Sequence, residues 1–181
     1  MLTTTEKVKS YLQIGSSNYD IVIEDIVKGV SSAIETYLNR EIVKQERTEY
    51  FSGSEKTLIL SSYPVDSEGL LVEVNRGTNA SPSWETVSDN DYDLENEVGV
   101  VSLGYSVGTG VRRLRVTYTG GYLETPFDIE LVAIQLSAKS FDQRKAQGKS
   151  KETYSSTSID WVNALTDEQK AILSKYRNVI V

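Results

Sequence analysis

A chain of 181 residues and 20.2 kDa has room for one domain, or one domain with a large insertion, and not for a multidomain enzyme. Hydrophobic residues at 39% and charged residues at 25% suffice for a real core, which excludes global disorder. The 26 acids against 19 Lys and Arg leave a net charge of -7, unfavourable for generic binding to phosphate backbones or anionic membranes. With neither cysteine nor histidine, disulfide frameworks, thiolate metal sites, Cys nucleophiles and the commonest metal ligand and general base are excluded too.

The first residues, Met1-Leu2-Thr3-Thr4-Thr5-Glu6-Lys7, contain no apolar signal-peptide run. No stretch approaches the roughly 18 continuous apolar residues of a membrane helix. The expectation is a soluble protein, made and used without secretion.

In chain order, residues 3–12 fit a short helix with a Thr N-cap that stops near Gly15. Over residues 20–40, Ile23, Ile26, Val27, Val30, Ala33, Ile34, Tyr37 and Leu38 recur every three or four positions. That spacing predicts a long amphipathic helix, with Asn18 or Asp20 as its cap, whose stripe packs in the core. From Glu46 to Tyr122 the period changes, and short runs rich in Val, Leu, Thr and Tyr alternate with Gly, Pro, Asn and Asp. Seven strands are predicted, at 47–52, 57–60, 70–74, 83–87, 92–94, 98–103 and 112–118. In the last, Leu114, Val116 and Tyr118 alternate with Arg113, Arg115 and Thr117, the pattern of a half-buried strand.

Thr125-Pro126-Phe127-Asp128 opens a further helix, with Thr as cap, Pro in the first turn and Asp complementing the helix dipole. Ile129, Val132, Ala133, Leu136, Ser140 and Phe141 line one face of it to an end near Gly148, where Arg144 and Lys145 favour the carbonyl end. Residues 149–158 are polar and read as mobile. Thr166-Asp167-Glu168-Gln169 has the form of a capping box before a last helix through Ala171, Ile172, Leu173 and Tyr176.

The expected fold class is therefore α+β. N-terminal helices (1–45) and a long helix near 126–147 (within 123–148) form an antiparallel helical scaffold. A β-rich antiparallel insertion (46–122) lies between helices, and a flexible segment with a short C-terminal helix (149–181) follows.

The chemistry-bearing motifs are few. Asp89-Asn90-Asp91-Tyr92-Asp93 has calcium-loop spacing, but Leu94 stands where the loop needs Gly and Val100 where it needs Glu, so a solvated turn before a strand is expected. Gly104-Tyr105-Ser106-Val107-Gly108-Thr109-Gly110 lacks a P-loop Lys and is read as a hairpin tip. The acid pairs Asp66 with Glu68 and Glu95 with Glu97 arise readily in a chain this acidic and mark no catalytic site. Arg112, Arg113 and Arg115, the densest basic cluster, are expected on a solvated strand face or in ion pairs with a neighbouring subunit. Asn79-Ala80-Ser81 matches a glycosylation sequon that has no meaning without secretion. No catalytic, metal or cofactor constellation emerges, which leaves an interaction or structural protein, with a β-rich ligand-binding module as the other reading.

Several segments in fixed order carry a family resemblance. They are Val8-Lys9-Ser10-Tyr11-Leu12, Ile34-Glu35-Thr36-Tyr37-Leu38-Asn39-Arg40, Leu58-Ile59-Leu60 with Tyr63-Pro64-Val65, and Asp91-Tyr92-Asp93-Leu94 with Gly99-Val100-Val101-Ser102-Leu103. Val116-Thr117-Tyr118-Thr119-Gly120-Gly121-Tyr122, Pro126-Phe127-Asp128-Ile129 and Leu173-Ser174-Lys175-Tyr176-Arg177 complete the set. In this order, over nearly the whole chain, the sequence resembles the head-tail connector family of tailed bacteriophages, also called adaptor or head completion proteins.

That resemblance implies a non-enzymatic virion protein, without cofactor, at the neck between capsid portal and tail and made in the host bacterial cytoplasm. It implies a homo-oligomeric ring, twelve-fold like the portal, that binds the portal protein and extends the DNA channel. The ring would present a docking surface to the next connector, a stopper or tail terminator, or to another tail component. Packaged DNA would pass without sequence-specific binding, and no membrane is involved. Another tail or head completion protein is the nearest alternative. Carried onto this chain, the portal-docking residues are Tyr176, Arg177, Ile180 and Val181, and the subunit contact falls to Arg112, Arg113 and Arg115. Asp89, Asp91, Asp93, Glu95 and Glu97 are the expected channel-facing acids, since a DNA conduit should not grip phosphate.

Overall fold

The computed structural model describes residues 1–144 and 165–178. They fall into two units, Met1–Glu41 with Thr125–Val181, and Ile42–Glu124.

The first unit is helical. Helix α1 (Thr5–Leu12) starts because Thr4 is extended and its hydroxyl accepts from the Lys7 N–H at 3.3 Å. It ends two residues before Gly15, at Gln13, which adopts the left-handed conformation (φ 57°) and closes the last turn onto Lys9 and Ser10 carbonyls.

Helix α2 (Asp20–Leu38) follows a 3₁₀ turn at Ser17–Tyr19. Neither Asn18 nor Asp20 caps it, contrary to the sequence expectation. The 3₁₀ turn feeds directly into the helix, Asp20 is already its first residue, and its carboxylate pairs with Lys9 at 2.6 Å. An acid in the first turn still favours the helix dipole. The predicted stripe is the buried one, with Ile23, Val27, Val30, Ile34 and Leu38 inaccessible and Ile26, Ala33 and Tyr37 half-buried.

Helix α3 (Phe127–Gln143) packs on both α1 and α2. Its N-cap is Pro126 and not Thr125, so the proline sits one place earlier than expected and contributes its fixed φ without a side-chain cap. At the far end the Arg144 guanidinium donates to the Phe141 carbonyl and lies over the Phe141 ring. Lys145 and Gly148 lie outside the described residues, as does the segment 149–158. Val8, Ile23, Val27 and Phe141 form one buried cluster, with Tyr19 edge-on to Phe141 at 5.4 Å. Each such aliphatic or aromatic side chain contributes roughly 1.5–3 kcal/mol.

Helix α4 (Asp167–Ser174) opens with the expected capping box, Thr166 and Gln169 each accepting from the other's backbone N–H. It packs on α3, with Leu173 fully buried and Gln169 donating to Gln135 at 2.8 Å.

The second unit contains all seven predicted strands, with ends displaced by a residue or two. They are β1 (Gln45–Phe51), β2 (Thr57–Ile59), β3 (Leu71–Asn75), β4 (Trp84–Thr86), β5 (Tyr92–Glu95), β6 (Val100–Leu103) and β7 (Leu114–Gly120). They pair antiparallel in two sheets, ordered β1-β7-β3-β4 and β2-β6-β5. Alternation decides what each face does. Leu114, Val116, Tyr118, Val72 and Val74 from the first sheet share one core with Leu58, Val101 and Leu103 from the second.

The glycine-rich stretch at 104–110 is not a hairpin tip. It links β6 to β7, and those strands lie in different sheets, so the chain crosses from one sheet to the other there. Its turn chemistry suits a tight reversal equally well.

Gly120 and Gly121 sit where three segments meet. Gly121 (φ 106°) donates to the Pro64 carbonyl at 2.9 Å, and Tyr122 exchanges backbone bonds with Ile42 (2.8 Å) and Lys44 (2.9 Å). A methyl on Gly120 would strike the Ser62 carbonyl and approach the Tyr118 ring to 2.7 Å, so only glycine fits. Beside it, the Tyr118 hydroxyl donates to Glu49 and accepts from the Ser62 N–H at 3.1 Å, while Ser61 donates to the same carboxylate through Oγ at 2.5 Å.

Candidate assembly surfaces

Each sheet of the second unit gives one face to the shared core and the other to solvent. On the four-stranded sheet, register sets Tyr50 opposite Arg115 and Arg115 opposite Glu73, so these side chains share the outer face. Arg115 grips Glu73 with two hydrogen bonds, Nε to Oε2 at 2.6 Å and Nη2 to Oε1 at 2.7 Å. That bond pushes the Arg115 pKa above its ordinary value and satisfies a carboxylate whose residue is only 8% exposed.

The Arg115 guanidinium lies 4.3 Å from the Trp84 ring centre, and Trp84 lies 6.0 Å from Tyr50. Arg112, in a left-handed turn (φ 52°), stacks 4.1 Å over Tyr50. Tyr50 and Leu71 remain exposed. Arg113 is half-buried and donates to the Gly77 carbonyl at 3.0 Å. The three arginines thus divide their work: Arg112 presents charge, Arg113 holds a loop and Arg115 serves an internal ion pair. The aromatic partners Tyr50 and Trp84 were invisible as partners in the sequence, because only strand register brings them to the arginines.

The five acids occupy the second sheet's edge. Asp89 and Asp91 lie in a 3₁₀ turn capped by Ser88, followed at once by β5, which is the solvated turn expected. Asp93 and Glu95 point outward from β5 while Tyr92 and Leu94 pack inward. All five, Glu97 included, are exposed, and none forms an ion pair with a described residue. Charged side chains along an edge strand also block uncontrolled strand pairing. Asp66, by contrast, is bound to Lys44 at 2.6 Å. Among the described residues no three acids converge to hold a metal.

In the helical unit, Tyr176 is half-buried and its hydroxyl donates to the Asp128 carboxylate at 2.9 Å. Arg177 is exposed and lies 5.5 Å from the Tyr37 ring centre, and the Asn178 N–H donates to the Leu38 carbonyl at 2.8 Å. Ile180 and Val181 lie outside the described residues.

A family model described as Head completion protein matches residues 1–179. The chain belongs to the head completion protein family. A head completion protein is a structural component of a phage-like particle and not an enzyme. No curated protein matches the chain.

Among solved structures, this head completion protein is similar to a chain in the neck of a native gene transfer agent (GTA) particle computed with C12 symmetry. The identity is 14% and the TM-score 0.64, over 98% of this chain and 89% of that one. It is similar also to a chain in the neck of the empty GTA particle computed with C6 symmetry, at 13% identity and TM-score 0.63, covering 98% and 90%. A chain in the virion of the native particle gives 13% and 0.60, covering 98% and 90%. At these identities what is shared is the fold.

Proposed function

We propose that this head completion protein is a neck subunit that assembles as a ring on the portal, extends the DNA channel and offers a docking surface to the next connector. The observation that carries this reading is the likeness of the whole fold to a neck chain whose particle was computed with C12 symmetry, joined to a family match spanning residues 1–179. That symmetry supports a twelve-fold ring. The net charge of -7 supports passage of DNA, since an acidic subunit has no generic grip on phosphate.

Docking on the portal is assigned to the C-terminal end, with Arg177 as its exposed cation and Ile180 and Val181 as apolar anchors. Tyr176 acts behind them: its bond to Asp128 ties the residues that follow α4 to the first turn of α3.

Co-sedimentation with the portal ring of the same particle tests the reading. Full-length protein should saturate the portal at one copy per portal subunit. A chain ending at Asn178 keeps every described element, so its loss of binding would support docking through Ile180 and Val181. Failure of the full-length chain to bind a competent portal would overturn the neck assignment.

A further inference from the structure

The two outer sheet faces of the second unit differ in chemistry and, because their inner faces share one core, they point away from each other. One holds Tyr50, Trp84 and Leu71, with Arg112 stacked on the Tyr50 ring and in no ion pair with a described residue. The other holds Asp93 and Glu95 beside Ile59, which is 44% exposed and in line with Glu95 across β6. Each face has an apolar centre and carries charge that no described residue answers, the composition of a specific interface.

We propose that copies of this chain join head to tail, the Arg112–Tyr50–Trp84 face of one copy seating the Asp93–Glu95 face of the next. This rests on the ring reading above and names the surfaces that would build it. Because the faces point apart, the contact is between unlike patches, and such contacts generate rings when the rotation closes. Charge selects a second copy over nucleic acid as occupant. Arg115 is already neutralised by Glu73, so the face offers too few open cations to follow a phosphate backbone, yet enough for one or two carboxylates. The acid row thereby belongs to the subunit contact and not to the channel wall.

The chain has no cysteine, so introduced ones report alone. Thr48→Cys lies on the first face and Thr57→Cys on the second, both exposed. With the protein assembled on the portal ring, a short bis-maleimide should turn the double variant into a ladder of covalent oligomers. Either single variant alone should stay monomeric on a denaturing gel, and a mixture of the two should stop at dimers. Arg112→Glu should cut portal-bound copies about tenfold, with Glu95→Arg on the same chain restoring them. Unchanged circular dichroism would show that each variant folds. Dimers from a single variant would mean a self-complementary contact and overturn the proposal. So would the absence of a ladder while the protein still saturates the portal, an outcome that leaves the ring itself standing. No assembly on the portal by the unaltered chain would remove the ring and the contact together.

Discussion

Tyr118 is buried against the inner core, with its hydroxyl between Glu49 and the Ser62 N–H. Burial first, and then the Glu49 carboxylate, push its phenol well above the ordinary value of 10.0. A folded-state pKa raised above the unfolded one means that the folded chain holds this proton more tightly. The stabilisation is complete below about pH 10 and is lost as pH rises from there toward the folded pKa. Thermal melts between pH 8 and 11 should therefore fall steeply at the alkaline end. Tyr118→Phe should flatten that limb; an unchanged slope would show that another group controls it. In the sequence Tyr118 was legible as an inward strand residue from its alternation with Arg115 and Thr117, but Glu49 lies 69 positions away and its carboxylate was not. Arg112, Arg113 and Arg115 show the same limit. Proximity in sequence marked them as one cluster, while register and a left-handed turn gave each a different partner.

At the scale of elements, local chemistry was readable wherever the signal was local. The Thr166–Gln169 box was visible in four residues because both of its hydrogen bonds form within them. Thr166→Ala should cost about 1 kcal/mol, felt mainly by α4, whose first turn is otherwise solvated. Amide exchange should speed up at residues 169–174 by several-fold and stay unchanged in α2; uniform acceleration would mean that α4 does not open separately. The strands were visible by alternation, and the buried stripe of α2 by its period. Strand pairing was not visible. Glycines at 104, 108 and 110 permit a sharp turn without saying whether the chain returns to the same sheet, and here it does not. The starts of α2 and α3 failed for a related reason: Asn18, Asp20 and Thr125 are all competent caps, but the 3₁₀ turn before α2 and Pro126 before α3 set the backbone.

For the whole molecule, the α+β class followed from the change of hydrophobic period near residue 46 and its return near 126, and the family match agrees with the order of segments. The division into units adds that 42–124 has its own core. Expressed alone, residues 42–124 should unfold cooperatively in urea with a β-type circular dichroism spectrum; a gradual transition would show that the sheets need the helices. The joining of Ile42 and Lys44 to Tyr122 bears on how such a chain comes together in time. Helices α2 and α3 are separated by almost ninety intervening residues, and closing a loop of that length is entropically costly. Once the backbone bonds at Tyr122 form, the effective loop shrinks to about nine residues, which lowers the closure cost by about 2 kcal/mol. The inserted sheets therefore act as a clasp that shortens the loop between the two helices.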